Sequence, residues 1–167
     1  IQNYFIPHRR QLGDKPSQAM LDAFGANCVF RRDQHGSLCR FTPEIRLSRD
    51  DDNLYATIID PGATKPETNA DDSMAGDHLR LAFLPNDTAK NPVLEVIVAP
   101  DGEAEAYTIS PDGKREKRTF DGSVDSSVTP KDGWMTRVTI PLKSIPDFTP
   151  NWKLKFNAAR SGPQGGT

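Results

Sequence analysis

From Glu44 onward, apolar residues recur at every second position in short runs, and each run is bounded by a turn cluster. Ile45 and Leu47 alternate with Arg46 and Ser48; after the acidic turn Asp50 to Asn53, Leu54, Ala56 and Ile58 fall on one face. A period of two is the mark of a strand with one buried face, so these two runs predict a hairpin. Strands are predicted again at His78 to Leu84, Val93 to Ala99 and Glu105 to Ile109, punctuated by Pro85-Asn86-Asp87, Asp101-Gly102 and Pro111-Asp112-Gly113. After Lys131-Asp132-Gly133, Trp134, Thr136, Val138 and Ile140 share a face, and Trp152, Leu154, Phe156 and Ala158 do so in the last strand. The pattern predicts an all-β protein, an antiparallel two-sheet β-sandwich of about eight or nine strands with at most one short helix. Its core is expected to hold Leu54, Ile58, Leu79, Leu81, Phe83, Trp134, Val138, Ile140, Trp152, Leu154 and Phe156.

The first forty residues read less clearly. Asn3 to Ile6 suits an edge strand, and Pro16 to Phe24 carries Ala19, Met20, Ala23 and Phe24 at helical spacing until Gly25 stops it. Asp60 to Asp77 is a loop longer than the usual two to six residues of a sheet connection, the length at which loops carry function or stay disordered.

Composition narrows the function classes. A chain of 167 residues with 35% hydrophobic content is one domain, 1–167, with enough apolar side chains for a sandwich core. The net charge is −2 and the basic residues are scattered in pairs or in the mixed run Lys114 to Arg118, which argues against nucleic acid. The longest apolar window, Val93 to Ala99, is interrupted by Glu95 and falls well short of the roughly 20 residues of a membrane helix. The chain starts at Ile1 without a methionine and ends in a Gly- and Pro-rich stretch, as expected of a domain excised from a longer protein. Gly36 lies between Cys28 and Cys39 and can close a hairpin that lets them bridge; the alternative is a pair of half-buried thiols. Neither a zinc knuckle nor a covalent haem motif occurs.

Taken in order, Asp50-Asp51-Asp52-Asn53-Leu54-Tyr55, Gly76-Asp77 opening a strand, Pro111-Asp112-Gly113, Gly133-Trp134 running to Ile140-Pro141-Leu142, and Trp152 to Arg160 form a series. This series resembles carbohydrate-binding module family 9 and, more widely, the DOMON-like superfamily that includes haem-binding relatives. The match runs from about Thr42 to Arg160, with residues 12–40 as an insertion. The resemblance implies a secreted or surface-exposed, non-catalytic, carbohydrate-binding domain, extracellular or periplasmic, appended to a larger protein of the glycoside-hydrolase type. In that family a sugar is clamped between loop tryptophans; the corresponding loop here, Asp60 to Asp77, has none.

Sugar recognition calls for aromatic faces and for charged or amide groups that hydrogen-bond hydroxyls. Arg80, Glu95, Asn157 and Arg160 fall off the core stripe of their strands and are expected on one surface, with Tyr107 or Tyr55 at its margin. Asp71, Asp72 and Asp77 are candidate ligands of a structural calcium, and no other cofactor is called for. Haem is the rival cofactor, with Met74, Met135, His8, His35 and His78 as axial candidates. No paired-carboxylate signal and no nucleophile elbow point to catalysis. The expected partners are a mono- or oligosaccharide and the rest of the parent chain. The rival of another class is a structural or interaction module without a small ligand.

Overall fold

The computed structural model describes residues 44–68, 75–85, 90–149 and 154–161, together with the backbone of 26–29. Ten strands run through them: β1 Ala26–Val29, β2 Glu44–Arg49, β3 Asn53–Asp60, β4 His78–Pro85, β5 Val93–Val98, β6 Ala104–Ile109, β7 Arg115–Arg118, β8 Ser123–Thr129, β9 Gly133–Pro141 and β10 Leu154–Ser161. They form two five-stranded sheets in the orders β1-β2-β3-β9-β8 and β10-β4-β5-β6-β7, with every pairing antiparallel. A 3-10 turn at Leu142–Ser144 follows β9. The all-β sandwich read from the alternation is the fold.

Local chemistry sets the corners. The acidic turn before β3 is built on Asp50, whose Oδ1 accepts the N–H groups of Asp52 at 2.9 Å and Asn53 at 2.7 Å, and so closes the β2–β3 hairpin. Gly133 opens β9 at φ 75°, and a Cβ there would sit 2.1 Å from the Asp60 carbonyl oxygen, so only glycine lets the β9 start approach the β3 end.

The interior is the meeting of two inner faces. Ile45, Leu47, Leu54, Ala56, Ile58, Trp134, Val138 and Ile140 come from the first sheet, and Leu79, Leu81, Phe83, Leu94, Val96, Val98 and Ala106 from the second. Trp134 is fully buried, and its indole N–H donates to Ser126 Oγ at 3.0 Å, which donates in turn to the Pro100 carbonyl at 2.9 Å. That chain joins β8 of the first sheet to the turn after β5 of the second.

Two expected core residues sit at its margin. Leu154 and Phe156 are half-buried, since β10 is the outermost strand of its sheet among the described residues; the Phe156 ring still packs on Phe83 at 5.3 Å between centroids. Trp152, Asn3 to Ile6 and Pro16 to Phe24 lie outside the described residues. Strands β7 and β8 had no counterpart in the expected set, and β1 lies within 12–40 and pairs with β2.

Candidate functional site

The outer face of the second sheet presents one polar row across all five strands. Register places Asn157 of β10 opposite Ala82 of β4, Ala82 opposite Glu95 of β5, Glu95 opposite Tyr107 of β6, and Tyr107 opposite Lys117 of β7. Directly opposed residues in an antiparallel pair share a face, so these five side chains belong to one surface. The adjoining row holds Ala159, Arg80, Ile97 and Glu105. Ala82 and Ala159 are the small residues between the longer polar ones. Of the residues expected to converge, Arg80, Glu95, Asn157 and Tyr107 are therefore brought to one face.

Glu95 is the centre of this surface and only 4% exposed. Arg80 donates to its Oε1 from Nε at 3.0 Å and from an NH2 group at 2.5 Å, while Arg115 approaches Oε2 with Nε at 2.8 Å and NH2 at 2.7 Å. A buried carboxylate is tolerable when its lone pairs are met by charged donors, and here both oxygens are met twice. The two arginine side chains remain 44% and 39% exposed, so the cluster is open to solvent on its arginine side. The Arg115 guanidinium also lies 3.4 Å from the centre of the Tyr107 ring. Tyr107 O–H donates to Glu105 Oε2 at 2.5 Å, and Lys117 forms an ion pair with Glu105 Oε1. Hydrogen bonds from Lys117 and Tyr107 pull the Glu105 carboxyl below its ordinary value, and the bond to Glu105 pushes the Tyr107 phenol up. Asn157 is exposed and its side-chain carbonyl accepts the N–H of Ala158 at 2.9 Å.

Arg115 was not among the expected residues. It lies in the charged run that makes up β7, and the signal that would have found it is the alternation of Arg115 and Lys117 opposite Ile109 and Tyr107.

Arg160 is not part of this surface. β10 continues to Ser161, and Arg160 pairs with the core residue Leu79, which puts it in phase with Phe156 and Ala158 on the inner side. It reaches the other sheet, where its Nε lies 2.9 Å from Asp60 Oδ2, and its NH2 is 3.4 Å from Asp77 Oδ1. Asp60 is 2% exposed, and burial raises its carboxyl above the ordinary range although the Arg160 charge and the N–H groups of Gly62 and Ala63 pull the other way. Tyr55 is also elsewhere: it lies on the outer face of the first sheet, opposite Thr139, with its O–H on Asp50 Oδ2 at 2.5 Å.

Asp77 is engaged with Arg160 and accepts the Glu67 N–H at 2.8 Å, while Asp71 and Asp72 lie outside the described residues. Among the described residues no three His, Cys, Asp or Glu side chains gather around one point. Cys28 sits in β1 opposite Ile45, whereas Cys39, Met74, His8 and His35 lie outside the described residues. His78 and Met135 are in different sheets, with His78 Nδ1 held 3.0 Å from the Gly76 carbonyl.

No family model matches the sequence, and no curated protein matches it. The fold nevertheless recurs among solved structures, and it is like the β-sandwich of family 9 carbohydrate-binding modules. A candidate carbohydrate-binding protein from Bacteroides uniformis ATCC 8492 superposes with a TM-score of 0.63 at 9% identity, over 86% of this chain and 75% of its own. A family 9 carbohydrate-binding module from Caldicellulosiruptor kristjanssonii in complex with glucose gives 0.58 at 12% identity, covering 92% of this chain and 76% of that one. A module of that family and organism in complex with cellotriose gives 0.56 at 11% identity, over 95% and 77%. At such identities the shared property is the fold.

Proposed function

We propose that this domain is a non-catalytic carbohydrate-binding module whose binding surface is the outer face of the second sheet. The observation that carries the reading is the Arg80–Glu95–Arg115 clamp. One buried carboxylate fixes two guanidiniums side by side on a flat sheet, so that donors whose positions are set before binding face solvent beside Tyr107 and Asn157. Preset donors suit vicinal sugar hydroxyls, because ordering cost is removed before the ligand arrives. Glu95 itself has no lone pair to offer; its role is to position the arginines. The likeness of fold to modules in complex with glucose and cellotriose supports the same ligand class.

In this reading the domain needs no resident cofactor, works at the cell surface or outside the cell, and is carried by a larger protein that acts on or displays glycans. Among the described residues no helix is long and apolar enough to cross a membrane. One observation favours the rival interaction module: Tyr107 already has a guanidinium on its ring, so the face is internally satisfied.

Calorimetric titration with glucose and cellotriose separates the two. Saturable heat that falls at least tenfold in affinity in an Arg80→Ala, Arg115→Ala double variant supports the module. No saturable heat with wild type removes it in favour of the interaction reading.

A further inference from the structure

The outer face of the first sheet carries a groove of about 360 Å³ that the surface described above leaves unused. Tyr55, Thr57, Ser123, Asp125, Arg137 and Thr139 line it. Two rows of the register build it: Arg46, Thr57, Arg137 and Asp125 in one, and Ser48, Tyr55, Thr139 and Ser123 in the next. The volume lies at the lower end of the range for small-ligand pockets, enough for one sugar-sized ring.

The lining is mixed in the way a neutral polyol requires. Tyr55 supplies a ring whose O–H is tied to Asp50, Thr57, Ser123 and Thr139 supply hydroxyls that donate or accept, and Arg137 and Asp125 supply a cation and an anion of balanced charge. Arg137 is poorly matched by its present partners. Its NH1 lies 3.3 Å from Asp125 Oδ2 on a side chain that is 77% exposed, and among the described residues its NH2 meets the Met135 thioether sulfur at 3.8 Å. Its Nε–H is shielded from water and has no hydrogen-bond partner among the described residues, and the Arg46 Nε–H in the same row is left in the same condition. An unmet buried donor disfavours the side-chain arrangement that contains it, so Arg137 is readily drawn toward an acceptor in the groove.

We infer that this groove is a second saccharide subsite, which takes one neutral pyranose unit through vicinal hydroxyls on Arg137, with the carbohydrate reading supplying the ligand class. The two surfaces lie on opposite sides of a sandwich whose sheets pack about 10 Å apart, so one glucose molecule occupies one face or the other. A polysaccharide with many ends or strands would be held at both, and binding to polymer would exceed binding to its monomer through effective concentration alone.

The test is a backbone amide map of the wild-type domain during titration with glucose, cellotriose and sodium glucuronate. Saturable shifts at Thr57, Asp125, Arg137 and Thr139 with glucose or cellotriose are expected, independent of those at Arg80, Glu95 and Tyr107. Arg137→Gln is expected to lower the affinity of the first set at least tenfold and leave the second unchanged; the wild-type map stands even if that variant fails to fold. Shifts at the Arg80 surface alone overturn the second subsite and keep the carbohydrate reading. Shifts at the groove alone keep the subsite and overturn the placement on the second sheet. A response at the groove to glucuronate only overturns its neutral ligand, and no response on either face overturns both.

Discussion

Two arginine–carboxylate clusters of this domain share their chemistry and differ in where they sit. Asp60 and Glu95 are almost equally inaccessible, at 2% and 4%. The arginine on Asp60 is itself 17% exposed and spans from β10 to the end of β3, whereas the two on Glu95 are 44% and 39% exposed and lie along one sheet. The first pair links two layers and shields itself. The second holds two guanidiniums open to water. Residue type therefore says little about whether an arginine is a strut or a binding group; the side of the strand it occupies decides.

The largest effect that bears on this difference is expected from Arg160→Ala. It leaves Asp60 between the sheets without its cation, and breaking a buried pair from one side costs about 3–5 kcal/mol, read from the denaturant midpoint. A loss below about 1 kcal/mol would mean that the inter-sheet pair is no strut. Glu95→Gln is expected to cost less, about 1.5–3 kcal/mol, because the hydrogen bonds lost are charge-assisted but both arginines can turn to solvent. Arg80→Ala should cost about 1 kcal/mol, since water can replace the half-exposed Arg80 at Glu95 Oε1 while Arg115 keeps its hold on Oε2.

The smallest effect is a pH slope. Burial raises Asp60 above its ordinary 3.8, so between that value and its folded value the native state binds more protons than the unfolded chain. Its contribution to stability is full below 3.8 and is lost as pH rises through the folded value. Asp60→Asn should therefore gain on wild type as pH rises through that window, in urea titrations at a series of pH values. Glu105 has the opposite sign: its contribution is present above 4.5 and lost as pH falls through its lowered value, and it is common to both proteins. A difference between the two proteins that stays flat with pH would remove burial as the cause of the Asp60 shift.

The alternation of apolar residues made most of the sandwich legible, because β3, β4, β5 and β9 each keep one face in the core. The strands it missed are of another kind. β7 is four charged residues and β8 is mostly polar; each is the last strand of its sheet among the described residues, a position where charged and polar side chains are usual and leave little hydrophobic period to read. Phase explains the site in the same way. Arg80 and Glu95 stand between apolar neighbours on both sides, so their outward direction could be read directly. Arg160 follows Ala158 and Ala159, two small residues that blur the alternation, and its inward direction depends on β10 continuing opposite His78 to Leu79. Arg115 was hidden because every residue around it is charged.

If the open cluster binds and the shielded one holds the fold together, a single side-by-side titration with cellotriose separates their roles. Arg80→Ala and Arg160→Ala are compared with wild type at a temperature where all three remain folded. Arg80→Ala is expected to lose at least tenfold in affinity, read from the amide shifts of Glu95 and Tyr107, while Arg160→Ala, though less stable, binds at those residues as wild type does. Full affinity in Arg80→Ala together with loss of binding in folded Arg160→Ala would contradict that division of roles.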